Sequence, residues 1–427
     1  MYIKEVREKY EATINSYKSC NYEQQYKLGS FWVENKETDL KLLYESKTDE
    51  EMIRGIDKTI QFSITFPKVA YDSHKIRSLA VDYIINKQKE NGLDLNSYPM
   101  EIQESPFINP ENRVITDNIN RPVSPNFLRS VSEVARIKEL AEKTDVFLEL
   151  GAGMGVTARC VLLMIDPKKY YITDLPETLC FSYLHLKMCF PEKKHLWVTS
   201  EEDLAKVDDH DIIYVPTMFM EKIPNQSFDV FVNTASLGEM TNEVIRYWMN
   251  YLQNVADIKF LYTLNRFANT VAKHESFSYR INENECSVHY DDKWEILSWE
   301  LEPHYTQCPY IDPVHARYVE ICAKRPVDLL DKINKSEELL EKATLQDWYL
   351  QGKQPCSNAD NSFAIDRTMT GALFQLWESI RLNTNERNVA AMIKYFIFLV
   401  HDPHTRVLEE LPYYGELLQS LRTVKDE

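Results

Sequence analysis

The sequence predicts an α/β fold in which a doubly wound parallel sheet ends in an antiparallel pair of edge strands and is flanked by helical N- and C-terminal regions. Short apolar runs alternate with stretches of helical periodicity between residues 146 and 324, and this alternation is typical of strand-helix-strand units. The last two apolar runs, WEILSWE at 294–300 and ARYVEICAKR at 316–325, have no helical stretch between them. We expect such a pair to run antiparallel at the edge of a mixed sheet.

Residues 1–115 are predicted to form a helical region. Apolar residues recur there at helical spacing, as in Leu40, Leu43 and Tyr44 and in Met52, Ile53, Ile56 and Ile60. The segment 105–125 is rich in proline and asparagine, so an irregular connection is expected there. Ser124 and Pro125 then indicate a helix start, with a capping residue followed by proline at the first helical position.

The central domain is expected to span residues 116–325. Its predicted strands are VFLEL, YYIT, HLWV, IIYV, FDVFVN and FLYTLN, followed by the edge pair, and its predicted helices span 156–165, 177–189 and 243–255. From 326 to 427 the periodicity is helical again. Within this C-terminal region, residues 370–422 fit either ordinary amphipathic helices or a pair of helical hairpins of the solenoid kind.

The composition argues against several classes of protein. The formal charge of −17, from 66 acidic and 49 basic residues, repels phosphate backbones and anionic membranes, so we expect neither nucleic acid nor a membrane as partner. The N-terminus lacks the apolar block of a signal peptide, and no segment reaches about 20 uncharged apolar residues. The eight cysteines include no C-x-x-C pair, which indicates reduced thiols. These features predict a cytoplasmic protein.

A glycine-rich motif follows the first predicted strand of the sheet. In VFLELGAGMG (146–155), Gly151, Gly153 and Gly155 open a helix and Glu149 precedes them. In a doubly wound sheet this turn is where a nucleotide-like ligand binds. The spacing departs from the dinucleotide fingerprint because Val156 occupies the sixth place, and the carboxylate suits the ammonium and the positive sulfur of S-adenosylmethionine better than a pyrophosphate. An ordinary tight turn is the alternative interpretation.

A second carboxylate, Asp174, ends the next predicted strand, YYITD. A carboxylate at this place can accept hydrogen bonds from both ribose hydroxyls of a nucleotide-like cofactor. The same residue can also cap the helix that starts near Pro176. The other expected cofactor contacts are Ala152, Leu175, Thr217, Asn233 and Thr234, with Leu175 either against the adenine or in the core.

Four segments together resemble a known family. VFLELGAGMG, YYITDLPET (170–178), FDVFVNTASLGEM (228–240) and FLYTLNR (260–266) are similar to class I S-adenosylmethionine-dependent methyltransferases, and among them to the bacterial sugar O-methyltransferase family. The resemblance spans about residues 100–325, with a weaker likeness around SFW (30–32). It implies a Rossmann-like sheet and S-adenosylmethionine as cofactor. Leu237-Gly238 stands where that family commonly has an aromatic residue.

Candidate catalytic residues follow from the demands of methyl transfer, which needs an aligned acceptor and a base that takes its proton. Glu239, in the segment after FDVFVN, is the first candidate base, and an exposed acid ahead of a helix is the alternative. His274 is the second candidate, with His304 and His315 as further alternatives. Glu239 and Asp312 could supply oxygen ligands to a divalent metal, but no spacing demands one, so no metal is expected.

Ser236, Asn265 and Arg266 are the expected acceptor contacts, because they follow strands at the ligand edge. Arg266 can bind sugar hydroxyls or a phosphate, or lie on the surface. The sequence thus predicts an O-methyltransferase acting on a sugar or sugar-bearing small molecule, with helical flanks as a lid. The alternatives are a methyltransferase for another natural-product hydroxyl or amine, and a non-catalytic S-adenosylmethionine-binding or interaction protein. A homodimer stays open.

Overall fold

The computed structural model describes residues 2–18, 30–64, 73–237, 240, 242–266, 294–302, 308 and 318–325. The helical region expected at 326–427, including the alternative of helical hairpins, lies outside the described residues. Within the described ranges, no helix is long and apolar enough to cross a membrane.

The helices predicted at 156–165 and 177–189 are found within one residue of those bounds, whereas no bounds were predicted for the helices of residues 1–115. The α-helices of the described ranges are, in chain order, α1 (Ile3–Lys18), α2 (Ser30–Glu45), α3 (Asp49–Ile64), α4 (Ser73–Glu90), α5 (Pro125–Leu140), α6 (Val156–Met164), α7 (Pro176–Cys189) and α8 (Asn242–Asn250). The predicted start of α5 is confirmed, since the Ser124 hydroxyl accepts a hydrogen bond from the Phe127 N–H at 3.1 Å. The helix expected at 243–255 is α-helical only to Asn250 and continues as a π-helical turn, Tyr251–Val255.

Part of the segment 105–125 is more regular than predicted. An antiparallel hairpin, β1 (Val114–Thr116) and β2 (Ile119–Val123), lies within it, so the interpretation as an irregular connection was wrong for these residues. Pro122 argues against a central strand because it cannot donate a ladder hydrogen bond, but β2 pairs on one side only. Arg121, 1% exposed, holds the hairpin by donating to three backbone carbonyl oxygens.

A mixed sheet forms the centre of the protein. Its strands are β3 (Val146–Leu150), β4 (Lys169–Asp174), β5 (His195–Trp197), β6 (Ile212–Pro216), β7 (Ser227–Thr234), β8 (Asp257–Arg266), β9 (Glu295–Leu301) and β10 (Tyr318–Lys324). Their order is β5-β6-β4-β3-β7-β8-β10-β9. The strands from β5 to β8 are parallel, and β10 pairs antiparallel with both β8 and β9. The predicted Rossmann-like sheet with an antiparallel edge pair is therefore confirmed.

The sheet reverses its winding between β3 and β7. From β3 the chain adds β4 and then β5 on one side, inserts β6 between β4 and β5, and then returns to place β7 on the other side of β3. In open α/β sheets, ligands bind at such a reversal, in the crevice beyond the carboxyl ends of the strands. The fold thus directs attention to the loops that follow β3, β4 and β7.

Alternating side chains of the strands pack into two layers. One face, which includes Phe147 and Tyr170, shares a continuous apolar cluster with α5, α6, α7 and the N-terminal helices. The other face, which includes Leu148 and Tyr171, packs with α8. α1 lies against α7, where the Tyr183 hydroxyl donates to Glu5 at 2.6 Å. The N-terminal helices are therefore part of the main core.

Candidate functional site

The loop after β3 exposes backbone in a conformation that favours glycine. Gly151, Gly153 and Gly155 have φ angles of 74°, 56° and 77°, in the left-handed region that other residues adopt only with strain. The Gly151 N–H donates to the Thr173 carbonyl at 2.8 Å, and the Gly155 N–H donates to the Ala152 carbonyl at 2.8 Å. The loop is thereby tied to β4 and delivers the chain into the N-terminus of α6.

The three glycines have different surroundings. A Cβ on Gly151 would overlap the side chain of Ser236, and one on Gly155 would come within 3.2 Å of Leu186. A Cβ on Gly153 would have no atom within 4 Å among the described residues. Gly151 and Gly155 are therefore needed for packing, whereas Gly153 borders open space in which a ligand can approach the backbone.

Asp174 ends β4 directly beside this loop. Its Oδ2 accepts a hydrogen bond from the Gly153 N–H at 3.2 Å, and its Oδ1 accepts from the Leu175 N–H at 2.8 Å. Burial, with the charges of Asp39 and Glu177 nearby, raises the pKa of Asp174 to about 7. The N-cap of α7 is Leu175, without a side-chain cap hydrogen bond, so Asp174 orders the loop rather than capping the helix through α7 N–H groups.

Glu149 lies on β3 beneath the loop and is 2% exposed. The Tyr170 hydroxyl donates to its Oε2 at 2.9 Å. Burial raises the pKa of Glu149 to about 8, and the charges of Glu133 and Asp174 act in the same direction. Near neutral pH this group can therefore hold its proton until a cation comes close.

Helix α5 contributes buried polar residues that the sequence did not single out. Glu133 Oε2 accepts from the Thr157 hydroxyl at 2.9 Å and from the Thr234 hydroxyl at 3.3 Å. Its Oε1 lies 3.1 Å from Arg129 Nε in an ion pair. Burial raises the pKa of Glu133, which Arg129 and the two hydroxyls oppose. Thr234 is thus positioned at the end of β7 by a carboxylate from another element.

Asn233 joins the strands on both sides of the reversal. Its Nδ2 donates to the Leu150 carbonyl at 2.8 Å, and its Oδ1 accepts from the Leu237 N–H at 3.2 Å and from Asn265 Nδ2 at 2.8 Å. The side chain is fully buried. Next to it, Ala235 has a φ of 58°, a conformation that is uncommon for residues with a Cβ and clusters at functional sites. Asn233 and Asn265 therefore hold the crevice in shape through their amides.

The remaining residues predicted to form the site are distributed around the same crevice. Thr217 is buried and directly follows β6, whose last residue, Pro216, pairs with Asp174 of the neighbouring strand β4. Leu175 and Ala152 are half-buried at the ends of β4 and of the glycine loop. Ser236 packs against Gly151. Arg266 is the last residue of β8.

A further acid comes from the N-terminal helices. Asp39 on α2 is 6% exposed and lies within electrostatic range of Asp174 and Glu177. Burial, reinforced by the charge of Glu177, raises the pKa of Asp39 to about 7. No local pattern in the sequence indicates this placement, because it depends on how the N-terminal helices dock on α7.

The predicted catalytic residues Glu239 and His274 lie outside the described residues, as do His304, His315 and Asp312. Within the described ranges, no group of three or more His, Cys, Asp or Glu side chains could hold a metal ion. The assignments of Glu239 and His274 therefore stay predictions.

No family model and no curated protein matches this sequence. Among solved structures, the chain is similar to a protein in the NADB-Rossmann superfamily from Streptococcus agalactiae, at 11% identity over 63% of this chain and 94% of that chain, with a TM-score of 0.29. It is also similar to magnesium protoporphyrin IX methyltransferase from Synechocystis PCC 6803 with bound SAH, at 12% identity over 47% and 83% of the two chains, with a TM-score of 0.30. A third similar structure is TrmK of M. capricolum in complex with S-adenosyl-homocysteine, at 9% identity over 62% and 94%, with a TM-score of 0.29. At identities and TM-scores this low, function has to be inferred from the site itself.

Proposed function

We propose that this protein is an S-adenosylmethionine-dependent methyltransferase. The observation that carries the proposal is the position of Asp174, whose carboxylate is oriented by the Gly153 N–H at the edge of open space. A carboxylate fixed in this way keeps lone pairs for two ribose hydroxyls, and the exposed loop backbone lets the cofactor approach closely. Both features lie at the reversal of the sheet, where such folds bind ligands.

The charges around the crevice favour a cationic cofactor over a dinucleotide. Glu149, Asp174 and Asp39 are buried acids with raised pKa values. A positive sulfur and an ammonium group stabilise the ionised form of such acids, whereas a pyrophosphate would be repelled by them. When bound, S-adenosylmethionine supplies an electrophilic methyl group on a sulfonium.

Each residue of the site has a proposed part in holding the cofactor. Asp174 accepts the ribose hydroxyls, and Leu175 and Thr217 border the adenine. The Glu149 carboxylate binds the ammonium group of the cofactor directly or through water, and the backbone from Gly151 to Gly155 lies along the cofactor. Asn233 and Thr234, whose side chains are held in place by hydrogen bonds at the end of β7, border the cofactor on that side.

The proposed acceptor is a hydroxyl of a sugar or of a sugar-bearing small molecule. It is supported by the resemblance of the segments 170–178 and 228–240 to sugar O-methyltransferases. Ser236, Asn265 and Arg266 are proposed acceptor-side residues, with Glu239 as base and His274 as its alternative.

We further propose a cytoplasmic protein with a helical acceptor-side region at 1–115, a cofactor-binding domain at 116–325 and a C-terminal region at 326–427. A homodimer is compatible with this arrangement.

Cofactor binding tests the proposal most directly. By titration calorimetry, we expect the purified protein to bind S-adenosylmethionine and S-adenosylhomocysteine but not NAD. Asp174→Ala should weaken binding at least about tenfold, because two hydrogen bonds to an ionised group are lost. Asp209→Ala, at an exposed position, is the matched control and should leave affinity unchanged. Binding of NAD alone, or equal affinity in the two variants, would refute the proposed site.

The acceptor can be sought by mass spectrometry of nucleotide sugars and surface glycans from cells with and without the protein.

For the base, we expect Glu239→Gln to lower turnover by about 10² or more, the usual scale for loss of a general base. Its cofactor affinity should stay within about twofold of wild type, because a base acts on the acceptor. If Glu239→Gln keeps the turnover of the wild type while His274→Ala loses it, the histidine is the base.

A further inference from the structure

A chain of polar side chains leads from Cys189, at the end of α7, to the glycine loop. Ser105 Oγ lies 3.7 Å from Cys189 Sγ and 2.8 Å from His185 Nε2. His185 Nδ1 lies 2.8 Å from the Met154 carbonyl oxygen, and Met154 stands between the second and third glycines of the loop. Ser105 and His185 are buried, whereas Cys189 is partly exposed.

The partners of His185 determine where its protons lie. The Met154 carbonyl can only accept, so Nδ1 carries a hydrogen. In the neutral ring, Nε2 accepts from the Ser105 hydroxyl, whose oxygen is left to accept from the Cys189 S–H. If the thiol proton passes through Ser105 to Nε2, both ring N–H groups still have acceptors and the Ser105 hydroxyl can donate to the thiolate. The chain is therefore satisfied in both protonation states.

Arg159 and Tyr214, on two other elements, interact electrostatically with this thiol. Arg159 on α6 is buried and donates to a backbone carbonyl at 2.7 Å, while its Nε has no hydrogen-bond partner among the described residues. The Glu104 carboxyl pairs electrostatically with Arg159, and the Tyr214 hydroxyl of β6 lies within range of Cys189. The positive charge of Arg159 favours an anion at the thiol position.

The acidity of Cys189 agrees with this geometry. Burial opposes ionisation, but His185 and Arg159 outweigh it and lower the pKa of Cys189 to about 7. In contrast, burial raises the pKa values of Cys160 and Cys180. Among these three cysteines, only Cys189 combines partial exposure with an imidazole partner.

We propose that Cys189 is a site of reversible thiol modification that takes low-molecular-weight disulfides, with Ser105 and His185 as the relay that accepts its proton. The thiolate attacks one sulfur of the disulfide and forms a new sulfur–sulfur bond. The original bond breaks with its electron pair on the other sulfur, and the departing thiolate takes a proton from water.

The same contacts connect the modification to the glycine loop. A substituent on Cys189 Sγ competes for the space next to Ser105 Oγ and separates Ser105 from His185. His185 then loses the contact that orients it toward the Met154 carbonyl, which is part of the loop. Modification should therefore weaken cofactor binding, an effect that rests on the function proposed above, whereas the reactivity of the thiol does not.

Peptide-resolved mass spectrometry after timed exposure to oxidised glutathione tests the thiol itself. At pH 7 we expect Cys189 in the folded protein to be modified at least about tenfold faster than Cys160 and Cys180, with a rate that rises through about pH 7 and levels off above about pH 8, where nearly all of the thiol is ionised. Ser105→Ala should slow it several-fold and move the plateau to higher pH. A Cys189 rate no greater than those of Cys160 and Cys180, or one that still rises steeply above pH 8.5, would overturn the proposal. The wild-type pH profile decides even where the variant does not fold.

The connection to the loop is tested by titrating S-adenosylhomocysteine into the protein before and after treatment with oxidised glutathione. We expect affinity to fall several-fold in the wild type, to recover after reduction, and to be unaffected by treatment in Cys189→Ser. A modified wild-type protein that binds with unchanged affinity contradicts the connection. If the untreated protein does not bind at all, the proposed function fails, while the reactivity measurement still stands on its own.

Discussion

The amide of Asn233 acts at the point where the sheet reverses. It holds β3, β8 and the segment after β7 together through one donated and two accepted hydrogen bonds. A side chain that both donates and accepts is needed there, because Leu150 offers a carbonyl while Leu237 offers an N–H. The form of the crevice thus depends on the donor and acceptor order of a single side chain.

Replacing that amide by a carboxyl group tests this dependence. In Asn233→Asp, an ionised carboxylate would face the Leu150 carbonyl without a hydrogen to donate, so we expect the free energy of unfolding to fall by about 2 kcal/mol or more at pH 8. The loss should be smaller at pH 5, because the folded-state pKa of the new acid is raised and the protonated form can donate again. Denaturant unfolding at both pH values measures this, with Asn254→Asp at an exposed position as control. An equal loss at both pH values would contradict the hydrogen-bond assignment.

Sequence patterns locate polar residues at strand ends but not the direction of their side chains. The sequence places Asn233 and Asn265 at strand ends, but it does not show that their two amides are hydrogen-bonded to each other. Arg129 and Glu133 have the i, i+4 spacing that usually indicates an exposed ion pair, whereas both are buried. Which atoms come within reach depends on the packing of α5 on the sheet, and no local pattern shows that.

At the scale of elements, strands were predictable where burial on both faces produced an apolar run. β3 and β7 lie in the interior of the sheet, and their sequences VFLEL and FDVFVN are almost continuously apolar. The hairpin of β1 and β2 escaped prediction because it is short, contains Pro122 and draws its stability from Arg121 and its contacts. A two-stranded unit of this kind depends on its surroundings more than on its own pattern.

Alanine substitutions at Gly153 and Gly92 distinguish the cost of backbone strain from the loss of ligand contact. Gly153 and Gly92 both have positive φ angles and open space around a Cβ, so Gly153→Ala and Gly92→Ala should each lose about 1 to 2 kcal/mol of unfolding free energy from backbone strain. Only Gly153→Ala should also lose cofactor affinity, by about tenfold or more, because its methyl group occupies the space proposed for the ligand. Denaturant unfolding and calorimetry give the two readouts.

Gly151→Ala completes this series. Its Cβ would overlap Ser236 in addition to the strain, so we expect a larger loss of stability than in either of the other two variants. If Gly153→Ala binds S-adenosylhomocysteine as well as Gly92→Ala does, the open space next to Gly153 is not the cofactor position.

At the scale of the whole molecule, the N-terminal helices and the sheet form one apolar cluster, and this cluster encloses several acids. Asp39, Glu149 and Asp174 are each at least nine-tenths buried in a chain whose formal charge is −17. Ionising such groups without a bound cation costs free energy. The protein without ligand therefore carries an electrostatic penalty that a cationic cofactor can relieve.

That penalty has a definite dependence on pH, which Asp39→Asn isolates. The folded-state pKa of Asp39, raised mainly by burial to about 7, exceeds the value of about 3.9 expected for the unfolded chain. Between these values the unfolded state binds fewer protons, so rising pH lowers the stability of the wild type relative to the variant by up to about 1.4 kcal/mol per pH unit, and the difference levels off above about pH 7. Asp39→Asn should thus match the wild type near pH 4 and be the more stable protein at pH 8 in denaturant unfolding.

Glu37→Gln, at an exposed position of the same helix, should show no such trend. A stability difference that stays constant with pH would mean that the Asp39 carboxylate is compensated in the folded protein, and the N-terminal helices would then add no electrostatic penalty to the crevice.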